Sequence, residues 1–386
     1  MILLVSLFGD INADNSRLYN IFHYAPNLDT HAVVSDFNHR CKRYKGHAEH
    51  PDCTFLHVPA YKKNLSVRRL YSHLVFAYRL RKYLNSLREI PTTVYCAMPA
   101  STAAYVCGKY CRKHGVKLVI DVIDLWPDSL MPIVGGMKGR LLKYVVFPWK
   151  CITVRAYKMA DAILGESVRY ANEAALYNEK ALVHPLYLGV DKRMVEKLIA
   201  ESELVLDKPA GELWIGYAGS LGTSYDFETL IKGVAALNGK YRYKLLFIGD
   251  GVCRAEIENL IDKYSVKAEI TGFLKYGDLL KYLSCCDIAV NIFRDNTKVV
   301  HSYKFNDYAA ANCFILNSLP GETADMIDRY KVGLNFDFKD NTLDKVLLQC
   351  SEHWADYKEW KRNNKRLVDE LLDKDIIYSK LEDILS

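Results

Sequence analysis

The sequence predicts an α/β chain built as two doubly wound domains facing a central cleft. Three observations carry this. Both halves alternate short β-rich runs with helix-period patterns, as parallel sheets covered by helices on both faces do. The length of 386 residues exceeds one ordinary core and suits two domains of roughly 150–200 residues each. A turn-rich stretch ending in Asp207-Lys-Pro-Ala-Gly211 interrupts the alternation before a fresh strand.

In the first half, strands are expected over residues 2–7, 31–35, 54–58, 93–97, 117–122 and 162–164. Between them, residues 65–88 place Val67, Leu70, Leu74, Tyr78, Leu84 and Leu87 at helical spacing, which predicts a helix facing the core with that stripe. In the second half, strands are expected over 214–218, 244–248, 268–271, 287–293 and 314–317. Helices fall between them at about 226–237, 253–264, 277–284 and 303–311. From residue 341 the pattern is helical and charged to the end. The expected organisation is therefore a first domain over 1–190, a linker over 191–211, a second domain over 212–350, and helices over 351–386 that pack back toward the first domain.

Half the residues are apolar and a quarter charged, which excludes a disordered or fibrous chain. The longest apolar runs fall far short of the ~20 residues of a membrane-spanning helix. Met1–Asp10 has no basic start and no small-residue cleavage site, so it is read as a strand, not a signal peptide. The 11 cysteines lack paired Cys-x-x-Cys spacing, and neither Cys107/Cys111 nor Cys285/Cys286 has a matching cluster for zinc. Reduced thiols in a cytoplasm are expected. The net charge of +6 conceals an asymmetry. Residues 1–200 carry 28 basic against 16 acidic side chains, and the remainder 24 against 30. The first half is thus expected to face a polyanion or an anionic surface.

In open parallel sheets, ligands bind at the carboxyl ends of strands. Three such places stand out. Gly219-Ser220-Leu221-Gly222 follows a strand and precedes Asp226, a suitable helix cap, and its small residues let N–H groups approach a phosphate. No Gly-Lys-Ser/Thr is present, so a nucleoside-triphosphate P-loop is excluded. Gly249-Asp250-Gly251 makes a second sharp strand-to-helix turn. Ser302, Tyr303 and Lys304 open a helix where a hydroxyl, a cation and free N–H groups could bind a diphosphate. Asp307, one turn on, could accept from ribose hydroxyls. The plain alternative for each is a tight turn or a capped surface helix with a Lys304–Asp307 pair. The one Asp-x-Asp, Asp373-Lys374-Asp375, reads as a solvated helix face, not a metal site.

Taken in order, these segments resemble the nucleotide-sugar-binding domain of glycosyltransferase family 4, whose members have the GT-B fold of two Rossmann-like domains. The resemblance runs through Tyr217–Gly222, Phe227–Ile231, Phe247–Gly251, Ile270–Leu274, Cys286–Ala289, Lys304–Ala311 and Pro320–Glu322. In the first domain, Asp121-Val-Ile-Asp-Leu-Trp-Pro-Asp128 looks like a segment of bacterial enzymes that build O-antigen and capsule chains.

The resemblance implies a retaining transfer of a sugar from a nucleoside diphosphate, UDP before GDP, to a lipid-linked or oligosaccharide acceptor in surface polysaccharide synthesis. No metal or other cofactor is implied. It places the ribose on Asp307 and the base near Phe273 and Leu274. Arg294 and Lys298 are further cations for the diphosphate. Lys304 and Asp124 are the expected catalytic groups, with Asp10, Arg17, Trp126 and Asp128 on the acceptor side. The chain departs from the family at Val299, where the first Glu of a Glu-x7-Glu pattern would stand. It departs again at Ser220 and Tyr225 in place of basic residues, and at Asn312 in place of a glycine.

The basic half also offers Arg68, Arg69, Arg79, Arg81, Lys82 and Arg88 on one helix, and the segment 139–158 with Arg140, Lys143, Lys150, Arg155 and Lys158 among apolar residues. Such a mixture suits an anionic membrane surface, although Pro148 should kink or split the second helix. No nucleic-acid module is recognisable. Two other readings stay open: a nucleotide-sugar epimerase of the same fold, and a non-catalytic nucleotide-sugar-binding partner.

Overall fold

Buried β-branched and aromatic runs become the strands. The computed structural model describes residues 1–13, 16–45, 51–64, 66–128, 136–295, 297 and 299–386, and of residues 136–145 the backbone alone. The chain divides into two units, Met1–Leu188 completed by Ile377–Ser386, and Gly189–Ile376.

Unit 1 contains β1 (Ile2–Ser6), β2 (Thr30–Ser35), β3 (Phe37–Asn38), β4 (Arg43–Tyr44), β5 (Cys53–Leu56), β6 (Thr93–Met98), β7 (Lys117–Val122), β8 (Ala162–Gly165) and β9 (Leu182–Pro185). Seven of these form a parallel sheet in the order β5-β2-β1-β6-β7-β8-β9, and β3 pairs antiparallel with β4. β1 and β6 are buried along their whole length because helices cover both faces. β9 and the β3–β4 hairpin were not expected. β9 is a half-exposed edge strand with no apolar run to signal it, and the hairpin strands have two residues each.

The helix Val67–Ser86 buries a different face from the one expected. His73, Phe76, Ala77, Leu80 and Leu84 enter the core, while Val67, Leu74 and Tyr78 are exposed. Two apolar stripes compete on this helix, and the one containing Phe76 and Leu80 meets the sheet. The helix Gly136–Tyr157 runs through Pro148 without a break. One missing backbone hydrogen bond is outweighed by packing along Ser101–His114, where Thr153 Oγ1 donates to Ser101 Oγ at 2.7 Å.

Unit 2 contains β10 (Leu213–Ala218), β11 (Tyr243–Ile248), β12 (Ala268–Ile270), β13 (Ile288–Asn291), β14 (Phe314–Asn317) and β15 (Gly333–Asn335), all parallel in the order β12-β11-β10-β13-β14-β15. Its first element is the helix Lys192–Glu201, inside the stretch read as a linker, capped by Asp191 accepting from the Met194 N–H at 2.8 Å. The solvated-face reading of Asp373-Lys374-Asp375 is overturned for its first two residues. Asp373 and Lys374 are each 3 % exposed, and Asp373 pairs with Lys192 at 2.8 Å. They sit at the break between the helical turn Val368–Leu372 and the helix Lys374–Leu385, where the chain turns inward.

Candidate functional site

Strand order locates the site in unit 2. The chain runs outward from β10 to β11 and β12, then returns to the other side of β10 as β13. The order therefore reverses between β10 and β13, and the loops leaving these strands diverge there and open a crevice. The Gly219–Gly222 loop leaves β10, and the segment leading to the helix Tyr303–Ala310 leaves β13. Gly249–Gly251 and the loop with Phe273 and Leu274 follow β11 and β12. At ~4.8 Å per strand, these four loops line roughly 15 Å of one sheet edge.

The two glycine loops interlock. Leu221 N–H donates to the Asp250 carbonyl and Cys253 N–H to the Leu221 carbonyl, both at 2.9 Å. Gly249 has φ 153°, and a Cβ there would stand 2.1 Å from the Gly219 oxygen. Much of the glycine requirement is thus loop-on-loop packing. Leu221, expected to touch the donor, is instead fully buried with its backbone committed. The N–H groups of Ser220 and Gly222 have no protein partner among the described residues. Arg294 lies along the same loop, its Nε donating to the Thr223 carbonyl at 2.7 Å. Lys298 lies outside the described residues.

Lys304 and Asp307 do not pair. The Lys304 ammonium donates to the Tyr217 hydroxyl and sits 3.5 Å from the Tyr225 ring centroid and 4.0 Å from that of Tyr217. No carboxylate meets it among the described residues, and burial pushes its pKa well below the ordinary lysine value. Asp307 instead accepts from the Tyr276 hydroxyl at 2.7 Å. Burial raises its carboxyl to about 6, against the opposing effects of Tyr276 and Lys374. Ser302 caps this helix by position but not by a side-chain hydrogen bond, and Tyr303 is half exposed. Phe273 is 91 % exposed. Asn312, at a glycine of the family pattern, has φ 59°, a left-handed conformation that asparagine tolerates.

The aromatic box of Tyr217, Tyr225 and Phe293 around Lys304, and Tyr276 beside Asp307, were missed as site residues. Tyr276 stands two residues after Leu274, and the aromatic spacing of Tyr217, Tyr225 and Phe227 was the available signal. A cavity of about 770 Å³ in the same unit is lined by Lys192, Ala309, Asn312, Arg362 and Asp369, among others, and includes none of the expected donor residues.

In unit 1 the order reverses between β1 and β6. Asp10 lies in the loop after β1, its carboxylate accepting from the Asn12 N–H at 3.1 Å and from Asn38 Nδ2 at 3.3 Å. Asp124 and Asp128 follow β7, and Asp128 is ion-paired to Lys150. Two acceptor-side expectations are corrected. Arg17 is 4 % exposed and held by Asp121 at 2.7 Å, the Tyr378 hydroxyl at 2.9 Å and the Tyr187 carbonyl at 3.0 Å. Its guanidinium is committed to the core because the buried Asp121 needs a counter-charge. Trp126 is 6 % exposed and packs on His73 and Trp149 at ring separations of 5.7 Å and 5.1 Å. His73 is fully buried with neither ring nitrogen bonded, and burial lowers its pKa to about 3.

Among the described residues no cluster of His, Cys, Asp or Glu is placed to hold a metal ion, and no helix is long and apolar enough to cross a membrane. The Arg140 and Lys143 side chains lie outside the described residues.

No protein-family model matches the chain, and no curated protein matches its sequence. Solved structures do match its fold. A sucrose-phosphate synthase from Thermosynechococcus elongatus is 15 % identical, with a TM-score of 0.69 over 99 % of this chain and 97 % of that one. HepE of Anabaena, solved in complex with UDP, is 12 % identical at TM-score 0.67, covering 100 % and 99 %. WaaG, a glycosyltransferase involved in lipopolysaccharide biosynthesis, is 13 % identical at TM-score 0.63 over the whole of both chains. The fold is GT-B, with two Rossmann-like α/β units.

Proposed function

We propose that the chain is a retaining glycosyltransferase. It moves a hexosyl or N-acetylhexosaminyl group from a nucleoside-diphosphate sugar, UDP before GDP, to a lipid-linked or oligosaccharide acceptor in bacterial surface polysaccharide synthesis. The observation that carries this reading is Lys304, a cation without a carboxylate beside the unbonded N–H groups of Ser220 and Gly222 at the reversal point of unit 2. The neighbours support it: WaaG is described as a glycosyltransferase, and HepE was solved with UDP and with UDP-glucose.

Breaking the anomeric C–O bond places negative charge on the departing diphosphate. Preorganised N–H donors, Lys304 and Arg294 stabilise that charge, so the reading needs no metal. Asp307 holds the ribose and Phe273 the base. Asp124, in a loop after β7, orients the acceptor hydroxyl or takes its proton, with the diphosphate assisting. The first test is calorimetric titration with UDP, GDP, ADP and CMP. Selective binding of one, lost in Asp307→Ala, is expected, and binding of none would sink the donor assignment. Asp124→Asn should abolish transfer and leave nucleotide affinity unchanged.

Val299, where the family pattern has a carboxylate, favours a second reading of nucleotide binding without transfer. A protein that binds UDP yet consumes no UDP-sugar with any saccharide acceptor would establish it.

A further inference from the structure

Unit 1 holds a pair of cations that the donor chemistry does not use. Lys42 lies in the turn between β3 and β4, and Arg69 in the first turn of the helix Val67–Ser86. Both converge on Asn64: the Lys42 ammonium donates to its side-chain oxygen, and Arg69 Nη1 to its carbonyl at 3.0 Å. His39 Nδ1 is 3.4 Å from the Lys42 ammonium. The Arg69 guanidinium carbon sits 5.3 Å from the Phe8 ring centroid and 5.6 Å from that of Trp126, so the fork is held by aromatic faces and not by an acid. Arg69 Nε is buried and has no hydrogen-bond partner, and neither cation has a carboxylate at ion-pair distance among the described residues.

Two adjacent cations with no acid at ion-pair distance repel each other and lose hydration together, and Asp124 acts on Arg69 only from further away. Burial and the neighbouring Arg69 lower the Lys42 pKa, and burial then Arg69 and Lys42 bring His39 down to about 4. An arriving anion relieves that cost. The position suits a ligand, because Phe8 follows β1 at the reversal point and Trp126 follows β7, on the carboxyl edge of the sheet. A planar guanidinium fork beside a compact ammonium is the donor set that matches phosphoryl oxygens.

We propose that Lys42 and Arg69 form an anion subsite in unit 1 that takes a phosphoryl group of the acceptor, carried on a sugar phosphate or on a diphosphate-linked lipid saccharide. The word acceptor rests on the transferase reading above, whereas the binding does not. The full chain, with UDP present, would be titrated calorimetrically with glucose 6-phosphate, glucose, and geranyl diphosphate in detergent micelles. At least one phosphorylated probe should bind and glucose should not. Binding of glucose 6-phosphate points to a soluble sugar phosphate, and binding of geranyl diphosphate alone points to a lipid diphosphate. Lys42→Met and Arg69→Met should each weaken that probe at least about tenfold, and Arg69→Lys less. UDP affinity and melting temperature of the Lys42 and Arg69 variants should match the parent. No binding of either phosphorylated probe, or binding indifferent to Lys42 and Arg69, would overturn the subsite. Failure of UDP to bind would remove the donor reading and leave this result standing.

Discussion

Asp307 and Lys304 stand one helical turn apart, and sequence spacing alone pairs them. The fold separates them because Tyr276 reaches Asp307 while Tyr217 and Tyr225 enclose Lys304. That aromatic enclosure comes from the end of β10, the loop after it and the segment after β13, so local spacing could not show it. The consequence can be measured. With its carboxyl raised to about 6 in the fold, Asp307 is ionised above that pH and protonated below it. Nucleotide affinity is expected to be full above pH 6 and to fall as pH drops through it, and Asp307→Asn should bind weakly without that dependence. Stability should show the opposite sign. A carboxyl raised above its unfolded value destabilises the fold as its ionised form accumulates, so Asp307→Asn should raise the melting temperature at pH 7.5, with the gain shrinking toward pH 4. For Lys304→Met, the UDP dissociation constant should rise about tenfold or more, the effect of losing one charge-assisted contact of roughly 1.5–3 kcal/mol.

At the scale of elements, the strands of unit 2 were readable because each is a short apolar run between turn residues. β15 was not, being three residues long with Asn335 at its end. Glycine spacing suggested a phosphate loop, and the structure adds that Gly249 must also admit the Gly219 carbonyl. Gly249→Ala is expected to destabilise by roughly 2 kcal/mol or more, read by denaturant unfolding. The helix Val67–Ser86 shows where periodicity runs out. It carries two apolar stripes, and only tertiary packing decides which is buried. The stripe left outside, Val67, Tyr71, Leu74 and Tyr78, is bordered by Arg68, Arg79, Arg81 and Lys82, and the first turn of the helix has no acid. This suits a surface of anionic headgroups. Co-sedimentation with phosphatidylglycerol vesicles at low salt should be seen and should be lost in Tyr71→Glu/Leu74→Glu. Absence of binding in the parent chain would reject the membrane contact.

For the whole molecule, the two-part plan and a return of the last helices toward the first domain were expected from the sequence, but not that the returning piece is Ile377–Ser386 alone. The last ten residues complete unit 1 through Tyr378, Leu381 and Leu385, each fully buried. Their partners are distant in sequence, which no local pattern reports. The Tyr378 hydroxyl accepts from Arg17 Nη1 at 2.9 Å and so covers the Arg17–Asp121 centre. Arg17→Met leaves Asp121 buried without its counter-charge and is expected to destabilise by about 3–5 kcal/mol. A chain ending at Ile376 should show the loss in unit 1 as an early thermal transition while UDP still protects unit 2.

Unit 2 is therefore an insertion within unit 1. On the ribosome, Met1–Leu188 emerges first, yet its core stays open until Ile377–Ser386 follows the whole of Gly189–Ile376. Domains generally fold as they emerge, N-terminal first. Here the nascent first unit waits with Arg17 and Asp121 lacking the cover that Tyr378 supplies.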